Sequence, residues 1–266
     1  GKVYVLGSND LQKENYAFGG WNTQADGLGD NYEEGEDFNI TENTTLYAKW
    51  DCATYVNITK GTPVNGTFNL SVTGTQYTCE NGFVVSVTDI VPATGYRFDH
   101  ITQEGVDAAN VEINNDDKTV TYKQLSNGSS TINVVFAAIP YTVTWDPNGG
   151  NWGGSTDSKV DTYNYGASIT KPAEPTRTGY TFAGWSPTPA SSMPAENVTY
   201  TALWTANTNT PYVVEHYQQN LDLSYPTTPT EKESFTGTTD TKVTPTVKTY
   251  EGFTSPATQE VTIAAD

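Results

Sequence analysis

The sequence predicts a mainly β protein built as a row of small modules. Three observations carry that prediction. Charged residues make up 17% of the 266 positions, while Thr, Asn, Gly and Tyr are abundant. That balance suits a pleated, half-exposed sheet and not helix bundles, which favour Ala, Leu, Glu and Lys. Short stretches alternate apolar and polar residues, as in YTVTW at 141–145, with the period of two of a half-buried strand. The chain also writes one aromatic phrase twice. ENYAFGGW at 14–21 is followed by NITENTTLYAKW at 39–50, and TGYTFAGW at 178–185 by MPAENVTYTALW at 193–204. Self-similarity of this kind marks a repeat architecture.

Taken in order, the elements recur. Weaker copies of the phrase, TGYRFDHI and KTYEGFT, place its first tyrosine at Tyr16, Tyr96, Tyr180 and Tyr250, at intervals of 80, 84 and 70 residues. Each interval is the size of one small β domain. The chain therefore divides into modules 1–51, 52–139, 140–206 and 207–266, arranged as beads on a string. AAIPY and TANTNTPY read as short linkers, with Pro140 and Pro211 stiffening the start of the next module. In the first module Thr44, Leu46, Ala48 and Trp50 share one strand face. Val198, Tyr200, Ala202 and Trp204 occupy the matching face of the third, which assigns that face to the core. DPNGG at 146–150 supplies a tight turn after YTVTW. The second module reads as strands TYVNITK, GTFNLSVTG, GFVVSVTDIV, NVEINN, KTVTYKQL and STINVVF, joined by turns such as NNDDK and SNGSS.

The net charge of −18 and pI of about 4.3 repel phosphate backbones and anionic bilayers, which argues against nucleic acid and membrane surfaces as partners. Solubility of an exported protein accounts for the acidity. No apolar run approaches the ~18 residues of a membrane span. Gly1 is not a natural start, so the sequence reads as a fragment of something longer. Cys52 and Cys79 fit either an extracellular disulfide, contributing about 3 kcal/mol by chain entropy, or two unpaired core thiols. Their spacing is not that of a metal site.

Residues 141–204 resemble the internalin-type B-repeat, also called the Listeria–Bacteroides repeat, through the opening strand ending in DPNGG, PTRTGYTFAGW and TYTALW. Residues 3–50 are similar to the later part of the same repeat, without its opening strand and turn. Residues 52–137 resemble its divergent relatives through GFVVSVTDIVPATGYRFDHI and TINVVF. Residues 212–266 resemble the mucin-binding-protein repeat through YVVEHYQQNLD, TEKESFTGTTDTKVT and KTYEGF, and stop at VTIAAD, one strand early. The resemblance implies β-grasp-like modules of a bacterial surface or secreted protein, with no enzymatic activity and no cofactor. Cut modules would expose unpaired sheet edges, which invites strand-mediated self-association.

Candidate residues follow. Tyr16, Phe18, Trp21 and Trp50, with their counterparts Tyr180, Phe182, Trp185 and Trp204, are assigned to the core, because a small module needs large side chains to fill it. Gly20 and Gly184 relieve crowding or mark a bulge. Trp152, in the Gly-rich loop NGGNWGGSTD, is the candidate exposed contact for a glycan or a protein pocket. Asn151 and Asp146 stand beside it as candidate ligand-binding residues. The acidic loop with Asp26, Asp30, Glu33, Glu34, Glu36 and Asp37 lacks the ordered spacing of a calcium loop and reads as solvated. His100 and His216 belong to no catalytic motif, and no pair of acids is marked out for catalysis. The Asn-x-Ser/Thr triplets at Asn39, Asn43, Asn57, Asn65, Asn69, Asn127 and Asn197 read as unoccupied, since the repeats look bacterial. The expected function is a non-catalytic adhesive stalk or spacer. The alternatives are a binding module for mucin-type glycans or host surface proteins, and an accessory region of a larger exported enzyme.

Overall fold

Alternating β-branched, aromatic and polar residues form strands along most of the chain, and turn residues interrupt them. The computed structural model describes residues 1–79, 82–123 and 127–265. Two residues of the expected strand KTVTYKQL, Gln124 and Leu125, lie outside these, as do Ser126 of the next turn and Asp266. Among the described residues there is no α-helix, and the chain divides into two compact units, Gly1–Ala138 and Ile139–Asp266.

The first unit opens with β1 (Lys2–Tyr4), β2 (Tyr16–Asn22), β3 (Asn31–Tyr32), β4 (Asp37–Asn39) and β5 (Tyr47–Cys52). β2 lies between β3 and β5, and β1 pairs with β4. Then come β6 (Tyr55–Lys60), β7 (Gly66–Leu70), β8 (Gly74–Tyr77), β9 (Phe83–Pro92), β10 (Tyr96–Glu104), β11 (Val111–Asn114), β12 (Thr119–Tyr122) and β13 (Gly128–Ala138). They form two sheets, β10-β13-β6-β8 and β11-β12-β9-β7. Both contribute to one core, centred on Val56, Phe68, Val85, Val120, Tyr122 and Ile132. The expected single strand GTFNLSVTG is two: β7 joins one sheet and β8 the other, with Gly74 at φ 82° after the break. Glycine reaches that conformation without a Cβ clash.

The second unit contains β14 (Pro140–Asp146), β15 (Lys159–Asn164), β16 (Tyr180–Ser186) and β17 (Val198–Ala206). β18 (Thr210–His216), β19 (Glu231–Gly237), β20 (Lys242–Val243) and β21 (Val261–Thr262) follow. β15-β14-β17-β16 is a mixed sheet in which the first strand runs parallel to the last and two antiparallel strands flank them. This is the strand order of a β-grasp, with an irregular segment in place of a crossover helix. In the first unit β8-β6-β13-β10 repeats the order, with β13 parallel to β6. An asparagine caps the parallel pair in each. Asn197 Oδ1 accepts from Thr142 N at 2.8 Å, and Asn127 Oδ1 from Tyr55 N at 3.0 Å. Two of the apparent glycosylation triplets are thus used in folding, since a strand-end N–H needs an acceptor.

Val143 and Trp145 of β14 and Ala202 of β17 are fully buried, as the alternation predicts. Two pairings, β18-β19 and β20-β21, make up the last module. Its copy of the aromatic phrase, Lys248–Phe253, is not a strand. The equivalent β16 pairs only with β17.

Candidate functional site

The two aromatic phrases build the same object. Phe182 meets Trp185 at 5.3 Å and Trp204 at 5.7 Å, both edge-on. Phe18 meets Trp21 at 5.4 Å and Trp50 at 5.8 Å in the same way. A bulge follows each phenylalanine, between Phe182 and Gly184 and between Phe18 and Trp21. Gly184 and Gly20 carry the bulges at φ 114° and 95°. All eight residues of the two sets are half-buried. The fully buried centre of the third module is instead Trp145, beside Tyr200 and Met193. The Trp204 indole N–H donates to the carbonyls of Pro147 and Asn148, at 3.1 and 3.0 Å. Its ring lies so close to Gly150 that a Cβ there would collide with it. The DPNGG turn and the closing tryptophan therefore form one contact.

Trp152 does not stand free in its loop. It is half-buried, its indole N–H donates to Ala173 O at 2.9 Å, and its ring stacks on Trp185 at 6.5 Å. The Lys159 ammonium lies 4.5 Å from its ring centre, within cation–π range. A large apolar ring beside an existing aromatic cluster gains more by covering it than by facing water. Asn151 Oδ1 accepts from Gly154 N at 2.9 Å and Asp146 Oδ1 from Asn148 N at 2.8 Å. Both side chains shape the loop itself.

The acidic loop is organised by Asn22, which composition and spacing did not single out. Asn22 is buried; its amide donates to the carbonyls of Gly27 and Gly29 and to Asn31 Oδ1, and its oxygen accepts from Gln24 N and Gly29 N. Among the described residues no group of three or more His, Cys, Asp and Glu is placed to hold a metal ion. His100 Nδ1 lies 2.8 Å from Asp99.

The last module holds a cleft of about 690 Å³ lined by Tyr217, Asn220, Tyr225, Lys248, Tyr250 and Phe253, among others. Tyr225 is 63% exposed and Phe253 44%. A charge network borders it. Lys248 pairs with Glu231, and with Glu233 at 3.0 Å, and Glu233 also meets His216 Nε2 at 2.9 Å. Lys248 lowers the pKa of Glu231 and, with His216 second, that of Glu233. The Glu231 and Glu233 carboxylates raise that of Lys248. The β18–β19 register sets Glu215 opposite Lys232 and His216 opposite Glu231, and Lys248 joins the two glutamates, Glu231 and Glu233, from outside the hairpin. One strand read alone does not reveal it.

Module junctions form a third feature. Cys52 and Cys79 are joined by a disulfide with a Cα–Cα distance of 5.6 Å. Cys79 Sγ lies 2.9 Å from Asn15 O, which accepts from Ala53 N at 3.0 Å. In the second unit Thr239 Oγ1 donates to Gly179 O at 2.8 Å, which also accepts from Asn207 N at 2.9 Å. Cys52 is paired with Tyr16, and Ala206 with Tyr180. Thr239 thus occupies the place of Cys79, and Ala206 that of Cys52.

These features define a class: a mainly β chain of small separate sheets, two of them mixed sheets of the same strand order, with aromatic clusters and bonded junctions. Within it, residues 2–49 and 141–212 match the Listeria-Bacteroides repeat domain, which supports that repeat family for these two segments. The chain is 30% identical over 192 residues, 69% of its length, to a protein of Evansella cellulosilytica provisionally named a Gly-rich membrane protein. It is also 30% identical over 211 residues, 74% of its length, to a second protein of that organism, provisionally named a membrane protein. The matches span 19% and 27% of those relatives. No helix among the described residues is long and apolar enough to cross a membrane.

Proposed function

We propose that this chain is a non-catalytic spacer or adhesive stalk within an exported bacterial surface protein. The observation that carries this reading is the rebuilding of one module around the same edge-on aromatic set, at distances matched to 0.1 Å, with bonded junctions. Such construction suits reach, because a repeated unit stacked on its neighbours extends the chain in one dimension. The naming of two relatives as membrane proteins supports a place at the cell envelope.

The cleft favours a second reading, contact with mucin-type glycans or a host surface protein. Exposed rings beside side-chain amides are what a sugar face requires. Weak contacts of this kind multiply when modules repeat. Binding of the chain to mucin and to an immobilised glycan panel tests both, with Trp152→Ala and Tyr225→Ala alongside. The spacer reading expects no saturable binding by any of the three. Saturable binding lost in Tyr225→Ala would establish the cleft as an adhesive site. Loss in Trp152→Ala alone, with the fold intact by circular dichroism, would place it on the Gly-rich loop.

A further inference from the structure

The cleft of the last module gathers four aromatic rings from separate stretches of chain. Tyr217 follows β18, Tyr225 lies in the loop before β19, and Tyr250 and Phe253 lie between β20 and β21. All four line the cleft. Tyr217 is 39% exposed, and Tyr225 and Phe253 more so. The loop that carries Tyr225 is tightly tied. Asn220 N donates to Ser224 O at 2.8 Å, Gln219 Nε2 to Leu223 O at 2.7 Å and Asn220 Nδ2 to Ser224 Oγ at 2.9 Å. Leu223 is held at φ 69°, a left-handed conformation that a leucine keeps only where its surroundings impose it.

Carboxylates stand behind two of the rings. The Tyr217 hydroxyl donates to Glu215 at 2.7 Å and the Tyr250 hydroxyl to Glu231 at 3.2 Å. The bond to Glu215 raises the pKa of Tyr217, and burial followed by the bond to Glu231 raises that of Tyr250. A phenol that donates to an anion gains electron density in its ring, and the ring face then attracts a cation more strongly. The charge around the cleft has the same sign. Lys232 pairs with Glu215 at 2.6 Å, and Lys248 pairs with Glu231 and Glu233. Two ammonium groups thus meet three carboxylates, in a chain of net charge −18. Such a field repels anions and concentrates cations. Ring faces replace water well around an alkylated ammonium, which is weakly hydrated.

We propose that this cleft is a binding site for a small quaternary ammonium group of the choline kind, its methyl groups against the faces of Tyr217, Tyr225, Tyr250 and Phe253 and its charge balanced by Glu215 and Glu231. The ligand differs from that of the glycan reading of the same cleft, and the inference does not rest on that reading.

The test titrates the full chain with choline chloride and follows the tyrosine and phenylalanine ring signals by NMR. It is run at about pH 8, above the ordinary histidine value, with sodium chloride as the ionic-strength control. Choline should shift the four rings saturably. Its uncharged carbon isostere, 3,3-dimethylbutan-1-ol, should bind about 10-fold more weakly, because it lacks the cation–π attraction. Tyr225→Leu and Glu215→Gln, each with an unchanged circular dichroism spectrum, should weaken choline binding by about fivefold. A phosphocholine arm tells a headgroup from the free amino alcohol, and saturable binding of either supports the site. Equal affinity for the isostere, or no saturation by either cation, would overturn the proposal. Tighter binding of N-acetylgalactosamine than of choline would also overturn it, in favour of the glycan reading.

Discussion

Gly20 and Gly184 fill the same bulge but would not respond equally to a side chain. Both sit at positive φ, and a Cβ at Gly20 would also come within 2.6 Å of Tyr32 O, whereas open space surrounds Gly184. Gly184→Ala should cost about 1–2 kcal/mol through backbone strain alone, and Gly20→Ala clearly more, both by denaturant titration. Trp145→Ala should cost about 3–5 kcal/mol, the range for emptying a buried aromatic site. A loss under 1 kcal/mol would show that β14 is not the centre of its module. The phrase itself was legible in sequence: its rings recur, and they pack. The packing of Trp152 was not legible, because a Gly-rich loop carries no periodicity. What pulls the ring down is Trp185, a tertiary neighbour.

Among elements, the alternating strands were legible, and their pairing was not. YTVTW and VTYTALW announce two half-buried strands, but nothing local says that they lie side by side in parallel. The break between β7 and β8 escaped because Leu70 and Val72 keep an apolar rhythm across Ser71. The junctions were legible only as two cysteines. Reducing Cys52–Cys79, a bond across a sequence separation of 27, should lower the stability of the first unit by about 3.5 kcal/mol in the chain-entropy treatment. The equivalence of Thr239 to Cys79 gives a sharper expectation. Ala206→Cys with Thr239→Cys should oxidise spontaneously and raise the unfolding midpoint of the second unit. Free thiols in the folded double variant would show that the two junctions differ in geometry.

At the scale of the whole molecule, the acidic balance predicts behaviour with pH, and in the second unit Lys248 contributes to it through two carboxylates. Glu231 and Glu233 have lowered pKa values, chiefly through Lys248, against a usual value near 4.5. Carboxylates shifted down contribute stability above their ordinary value and lose it as pH falls through the lowered one. The second unit should therefore weaken in acid below about pH 4.5, and Lys248→Met should flatten that decline. Salt should shrink the difference, because these groups face solvent. An unchanged acid-unfolding profile in Lys248→Met would show that the network is ornamental.

The parallel pairing of β14 with β17 has a further consequence for a chain pulled from its two ends. A module's first and last strands lie side by side in mid-sheet and point the same way. Tension therefore enters β14 at one end of the sheet and leaves β17 at the other. The strands must slide past each other, so their bonds are loaded together in shear instead of opening one at a time. Single-molecule extension should show module 140–206 rupturing at a far higher force than the antiparallel hairpin β18–β19, whose ends part like a zipper. A fold that sets its terminal strands in this arrangement resists flow along the chain, whatever its surface touches.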